Sequence, residues 1–140
     1  MRPAEILLIE DDAGHARLTQ EAFREGRLEK HIHVVSNGEA AMEFLRRAGS
    51  YADAPRPDLI LLDLKLPKKN GREVLSEIKA DKALAKIPTV VFTTSESEQD
   101  IYDAYRLKAN CYIAKPIDLS QYLSTIAAIE RFWLRLDSAV

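Results

Sequence analysis

The run Leu59-Ile-Leu-Leu62 constrains this chain more than any other stretch. Four consecutive apolar residues are too few for a helix, and they lie between Pro57 on one side and Pro67 and Gly71 on the other. A short apolar run without alternation suits a strand buried on both faces, as in the interior of a parallel sheet. Asp63 follows directly, where the strand ends and the chain turns. In open α/β sheets the carboxyl ends of the strands are where ligands bind, so Asp63 is placed at the rim of the core with its carboxylate available for chemistry.

The rest of the chain repeats the theme. Ile6-Leu-Leu-Ile9 is a second short apolar run and stops abruptly at Glu10-Asp11-Asp12; Leu18, Ala22 and Phe23 then mark a helix that ends near Gly26. His31 to Val35 reads as a strand closed by Ser36-Asn37-Gly38, and Glu39 to Arg47 as a helix. Ala48 to Pro57 reads as a loop. After the central strand, Val74, Leu75 and Ile78 stand at helical spacing between Gly71 and Ala80. Pro88 to Thr93 is another buried-type strand, Ser97 a plausible N-cap for a helix carrying Ile101, Tyr105 and Leu107, and Cys111-Tyr-Ile113 a short strand before Lys115-Pro116. A long helix is expected from Leu119 to about Trp133. Strand and helix alternate five times, which predicts a five-stranded parallel sheet, doubly wound with helices on both faces. Residues 1–140 read as a single domain, with 130–140 as a C-terminal extension.

Composition excludes several classes. Basic and acidic residues number 20 and 22, a formal net charge of -2, which gives no whole-chain reason to expect nucleic acid or an anionic membrane as partner. The single cysteine, Cys111, cannot form an internal disulfide or a multi-cysteine metal site and reads as a small buried hydrophobe. No apolar segment approaches the roughly 20 residues that span a bilayer. The N-terminus runs straight into a strand and does not resemble a signal peptide, so a cytoplasmic location is expected.

If the strands are parallel, the residues that follow them open on one edge: Glu10 and Asp11 after the first, Asp63 after the third, Thr93 at the end of the fourth, Lys115 after the fifth. Like charges at about 4 Å repel by roughly 1 kcal/mol in water and about 4 kcal/mol at an effective dielectric of 20. Three carboxylates therefore call for a cation, and hard oxygen donors with room for water suit Mg²⁺ better than zinc. With a lysine and a hydroxyl added, the set matches what the equatorial oxygens of a phosphoryl group require. Asp12, one position beyond, reads as a helix cap, and His15, His31 and His33 as surface or packing residues.

Glu10-Asp11, Asp63-Leu-Lys-Leu-Pro67 with Gly71, Thr93 at 30 residues beyond Asp63, and Lys115-Pro116 at 22 beyond Thr93 occur in an order and at spacings that resemble the receiver domains of two-component response regulators, the CheY-like fold. The resemblance covers about Ala4 to Ile129. It implies that Asp63 accepts a phosphoryl group from a histidine kinase, with a divalent ion (Mg²⁺ or Mn²⁺) held by Glu10, Asp11, Asp63 and the backbone carbonyl of Lys65. It further implies that Thr93, Thr94 and Lys115 bind the phosphoryl oxygens, and that Thr93 and Tyr112 move together as a switch that remodels the face of the fourth helix, fifth strand and fifth helix. Two positions depart from the commonest pattern: Glu10 stands where an aspartate is usual, and Lys65, two after Asp63, flanks the path of attacking water.

The last helix carries a stripe, Leu119, Tyr122, Ile126, Ile129, Trp133 and Leu136, stepping by 3, 4, 3, 4 and 3, with further apolar surface at Phe132 and Leu134. Such a stripe is coiled-coil-like, and a homodimer interface is expected over Ile126, Ile129, Phe132, Trp133, Leu134 and Leu136. With the chain ending at Val140, output is expected through another protein or a second copy. The Phe132-Trp-Leu134 ending and the Thr93-Thr-Ser95 run resemble the phytochrome-associated, single-domain response regulators, which implies a bacteriophytochrome as kinase. Rival readings are weaker. A haloacid-dehalogenase-type phosphatase needs a second acid where Lys65 stands, and a flavodoxin needs a phosphate cradle where Glu10-Asp11-Asp12 would repel it. A pseudo-receiver, binding proteins without taking phosphate, is the alternative that Mg²⁺-dependent beryllofluoride binding would separate.

Overall fold

The computed structural model describes residues 2–134; Leu136, the last member of the expected apolar stripe, lies outside the described residues. Five strands, β1 (Ala4–Ile9), β2 (Lys30–Val35), β3 (Leu59–Leu62), β4 (Thr89–Thr93) and β5 (Cys111–Ala114), alternate with five helices, α1 (Ala13–Arg24), α2 (Gly38–Arg46), α3 (Gly71–Ala80), α4 (Glu98–Arg106) and α5 (Leu119–Ile129). The strands form one parallel sheet in the order β2-β1-β3-β4-β5. This is the doubly wound (βα)5, flavodoxin-like architecture that the alternation predicts.

The apolar run of β3 is continuous because both its faces are covered. Leu59 and Leu61 pack with Ala16, Phe23, Tyr122 and Ile126 from α1 and α5. Ile60 and Leu62 pack with Met42, Leu45, Val74 and Leu75 from α2 and α3. All four are fully buried. Each such side chain contributes about 1.5–3 kcal/mol when removed from water.

Every α-helix starts on a short polar cap at the carboxyl edge of the sheet. Asp12, Asn37, Asn70, Ser97 and Asp118 each accept a hydrogen bond from the backbone N–H three residues on, which satisfies an otherwise orphaned donor. Asn70 and Glu73 complete a capping box. Two glycines allow close approach at this edge. A Cβ on Gly71 would lie 2.6 Å from the carbonyl oxygen of Asp63, and one on Gly38 would overlap the backbone carbonyl of Lys69.

The C-terminal helix departs from expectation. The α-helix ends at Ile129 and continues as a π-helical turn over Glu130–Leu134. Its wider winding accompanies the burial of Glu130, whose carboxylate fills the space a side chain on Gly26 would take and lies 2.7 Å from Lys30 Nζ. The expected interface must also be corrected. Ile126 and Ile129 are 0% and 2% exposed within the domain's own core, because α5 turns that face toward β3 and β4 rather than outward. Trp133 and Leu134 are half-buried against the same cluster, and Phe132 alone of the described tail aromatics is exposed, at 61%.

Candidate functional site

Asp63 is the first residue after β3, and Glu10 the first after its neighbour β1. Thr93 ends β4, and Lys115 is the first residue after β5. The topology thus delivers all four to one edge. Lys115 crosses β4 above Phe92, its Nζ 6.0 Å from the ring centroid, and brings its ammonium between the two acids. Nζ donates to Asp63 Oδ2 at 2.9 Å and to Glu10 Oε1. Thr93 Oγ1 donates to Asp63 Oδ1 at 2.8 Å, and the Lys65 backbone N–H donates to the same oxygen at 3.1 Å. Glu10 Oε2 accepts from the Asp12 N–H at 3.1 Å. Glu10, Asp63, Thr93 and Lys115 are all buried, whereas Asp11 is exposed.

The electrostatics follow from this crowding. Burial pushes the Glu10 carboxyl up to about 7; the nearby Asp63 charge adds to that, and Lys115 opposes it. Burial also acts on Asp63, but there the Lys115 ammonium, the Lys65 N–H and the Thr93 hydroxyl outweigh it and hold the carboxyl below its usual range. The two carboxylates hold the Lys115 ammonium above its ordinary value in spite of burial. Asp63 is thus the carboxylate kept ionised, and Glu10 the one with a proton in reach near neutrality.

One ligand atom each from Glu10, Asp11 and Asp63 lies within 4.8 Å of the others. The donors are hard oxygens, and the exposed Asp11 leaves one side open to water, so the residues present fit a divalent cation of the Mg²⁺ or Mn²⁺ type. Thr94 is exposed, and its hydroxyl accepts from Lys65 Nζ at 3.3 Å. Tyr112 is half-buried; its hydroxyl donates to the Ser95 carbonyl at 2.8 Å and its backbone N–H to the Tyr105 hydroxyl at 3.1 Å. The structure therefore brings Glu10, Asp11, Asp63, Lys65, Thr93, Thr94 and Lys115 to one edge, with Tyr112 tied to the connection after β4.

Sequence reasoning missed one member. His15, read as a surface or packing residue, points its ring Nδ1 at Lys115 Nζ, 3.0 Å away. The available signal was its position: four residues after Asp11, it falls in the first turn of α1, which opens on the same edge. Asp12 caps that helix, as its spacing implied.

Comparison with known proteins agrees with this geometry. The family model for the response regulator receiver domain matches residues 6–127. The chain is 46% identical over 132 residues to the response regulator Rcp1 of Synechocystis, covering 94% of this chain and 90% of that one. The crystal structure of the Mn²⁺-bound form of Rcp1 is similar with a TM-score of 0.91, covering 96% of each chain. The phosphorylated cyanobacterial phytochrome response regulator RcpA is 50% identical with a TM-score of 0.92, covering 95% of each chain. The bacteriophytochrome response regulator RtBRR is 38% identical with a TM-score of 0.78, covering 97% of this chain and 83% of that one.

Proposed function

Because this chain belongs to the response regulator receiver family, we propose that it accepts a phosphoryl group on Asp63 from a histidine kinase and signals through the change that follows. The observation that carries this reading is the position of the Asp63 carboxylate, kept ionised between Lys115 and Thr93 beside a second and a third acid. An ionised carboxylate is a nucleophile toward phosphorus, and the reaction needs little beyond positioning and charge neutralisation. Lys115 meets the transferred oxygens with a fixed positive charge, and Thr93 and Thr94 offer hydroxyl donors. Glu10, Asp11, Asp63 and the Lys65 carbonyl would hold Mg²⁺ or Mn²⁺. When bound, such an ion supplies positive charge to oxygens that gain charge in the transfer.

Once phosphorylated, Asp63 carries added negative charge and strong acceptor oxygens. Thr93 then exchanges its carboxylate partner for the phosphoryl group, and Tyr112, bonded to the same connection through Ser95, changes with it. The α4, β5 and α5 face is remodelled as a result. The similarity to the phytochrome response regulator RcpA and the bacteriophytochrome response regulator RtBRR supports a bacteriophytochrome as phosphodonor. The exposed Phe132, with Trp133 and Leu134 half-buried behind it, is the surface on which a homodimer that uses the C-terminal extension would form.

The test is beryllofluoride binding and phosphotransfer from a phosphorylated bacteriophytochrome kinase, each with Mg²⁺ or excess chelator. Wild-type protein should respond only with the metal, and Asp63→Asn not at all. Labelling of Asp63→Asn equal to wild type would overturn Asp63 as acceptor. Sedimentation of Phe132→Ala against wild type tests the dimer; an identical mass that is already monomeric in the wild type removes it.

A further inference from the structure

We propose that His15 is a positioning residue that holds the third N–H of the Lys115 ammonium, an inference that rests on Lys115 being the group that meets the phosphoryl oxygens. A lysine ammonium has three donors and no acceptor. In this structure all three have a partner: Glu10 Oε1, Asp63 Oδ2 at 2.9 Å and His15 Nδ1 at 3.0 Å. Since Lys115 can only donate, this contact is a hydrogen bond with His15 Nδ1 as the acceptor, which requires the tautomer that carries its proton on Nε2.

The three partners differ in what they can do during the reaction. Glu10 and Asp63 belong to the acidic cluster that fits a cation, and Asp63 is the atom group that changes. His15 is outside that cluster, so its bond to Lys115 is the one that need not be exchanged when the acids take up other partners. It is also the one uncharged acceptor. A carboxylate on Lys115 offsets its positive charge, whereas a neutral imidazole aims the ammonium and leaves that charge for the incoming oxygens. The side chain of His15 is 36% exposed, with Nδ1 also 3.9 Å from Asp12 Oδ2; Asp12 caps α1 by accepting from the His15 backbone N–H, so removing the imidazole should leave the cap in place.

The chemistry separates positioning from general structure through the atom involved. In asparagine the amide oxygen stands two bonds from Cβ, where histidine has Nδ1; in glutamine it stands one bond further, near the place of Nε2. The experiment compares His15→Ala, His15→Asn and His15→Gln with wild type, at saturating Mg²⁺, for initial rate of labelling by acetyl phosphate and for beryllofluoride affinity. Melting temperature is recorded alongside, and Asp63→Asn is run in parallel. One charge-assisted hydrogen bond at a half-exposed position corresponds to about a five- to tenfold loss. His15→Ala should show that loss in both readouts with the melting temperature unchanged. His15→Asn should recover to within about twofold, and His15→Gln should stay near the alanine level. Alanine at wild-type rate, or asparagine no better than alanine, overturns the proposal. Labelling retained in Asp63→Asn would instead sink the acceptor reading beneath it, and the two failures are distinguishable.

Discussion

Lys30 and Glu130 allow a calculation that most surface ion pairs do not. Their side chains are 6% and 7% exposed, with Nζ 2.7 Å from Oε1. The pair joins the start of β2 to the π-helical turn. Among the described residues Glu130 Oε1 has no hydrogen-bond partner, so it relies on Coulomb attraction to Lys30. Lys30 is better provided, because Nζ also donates to the Phe23 carbonyl at 2.6 Å at the end of α1. The two single substitutions should therefore be unequal. Lys30→Met leaves a buried carboxylate with no cation within ion-pair distance among the described residues, a loss of about 3–5 kcal/mol. Glu130→Gln leaves a lysine that still has one carbonyl and an amide oxygen in reach, a loss of about 1–2 kcal/mol. Lys30→Met with Glu130→Leu replaces the pair by apolar groups and should return to within about 1 kcal/mol of wild type.

The assay is urea unfolding at pH 7, read as midpoint and slope, with thermal melts as a second measure. At this chain length each kcal/mol moves the melting temperature by about 4 °C, so Lys30→Met should fall by about 12–20 °C. The reasoning fails if Lys30→Met is no worse than Glu130→Gln, or if the double variant is worse than both singles.

Glu10 must be ionised to bind a cation, and its carboxyl is pushed up to about 7, chiefly by burial. Below that pH one proton must leave for each ion bound, so apparent Mg²⁺ affinity should fall by up to about tenfold per pH unit and be flat above; calorimetric titration from pH 5.5 to 8 checks it, and a flat response throughout refutes it. Asp58 has the opposite sign of shift. Arg2 bonds both its oxygens, at 2.8 and 2.6 Å, and this, against partial burial and with help from the Glu5 N–H, holds the carboxyl below its usual range. Its stabilisation is complete above the unfolded value of about 3.9 and is lost as pH falls through the folded value. Urea midpoints of wild type and Asp58→Asn should differ at pH 6 and converge as the pH falls through the folded value; a constant gap would refute the assignment. Gly38→Ala should destabilise by at least about 2 kcal/mol, because its Cβ would meet a backbone carbonyl rather than a flexible side chain; an unchanged unfolding midpoint would show that the Lys69 loop yields freely.

The fold was readable because both of its signals are local. A four-residue apolar run has one stable use, and a carboxylate or hydroxyl at its end is fixed to the sheet's edge by β-strand geometry alone. Glu10, Asp63 and Thr93 are of this kind, and Lys115 is a cation placed by the same rule at the end of β5. What could not be read depends on where side chains go once the backbone is set. Lys115 passes over β4 to reach an acid after β1, and His15 turns inward from α1; neither direction is written in spacing. The tail shows the same limit. A heptad-like stripe predicts which residues share a face, but not whether that face meets a second copy or the chain's own sheet. Here the sheet takes Ile126 and Ile129. Glu130 was invisible for a related reason, since a lone glutamate in a helical run reads as solvated until a lysine from another element is placed beside it.

The bonds beyond Asp63 show how a local charge change can be felt at a distance. Thr93 donates to Asp63, and two residues on, the Ser95 carbonyl accepts from Tyr112 while the Ser95 hydroxyl donates to Asp100. Arg72 on α3 bonds Asp100 and, at 3.1 Å, Asp103, so the first two turns of α4 are held from α3 and from the preceding connection together. Residues 93–97 are therefore anchored at one end by the acid that would carry the phosphoryl group and at the other by the helix that would report it. Backbone of this kind, fixed by side chains and free of sheet pairing after Thr93, would need few bonds exchanged to take the second arrangement that the proposed function requires. On the proposed reading Tyr112 would register which one is present, because its hydroxyl bonds this connection and its backbone N–H bonds Tyr105 on the exposed side of α4.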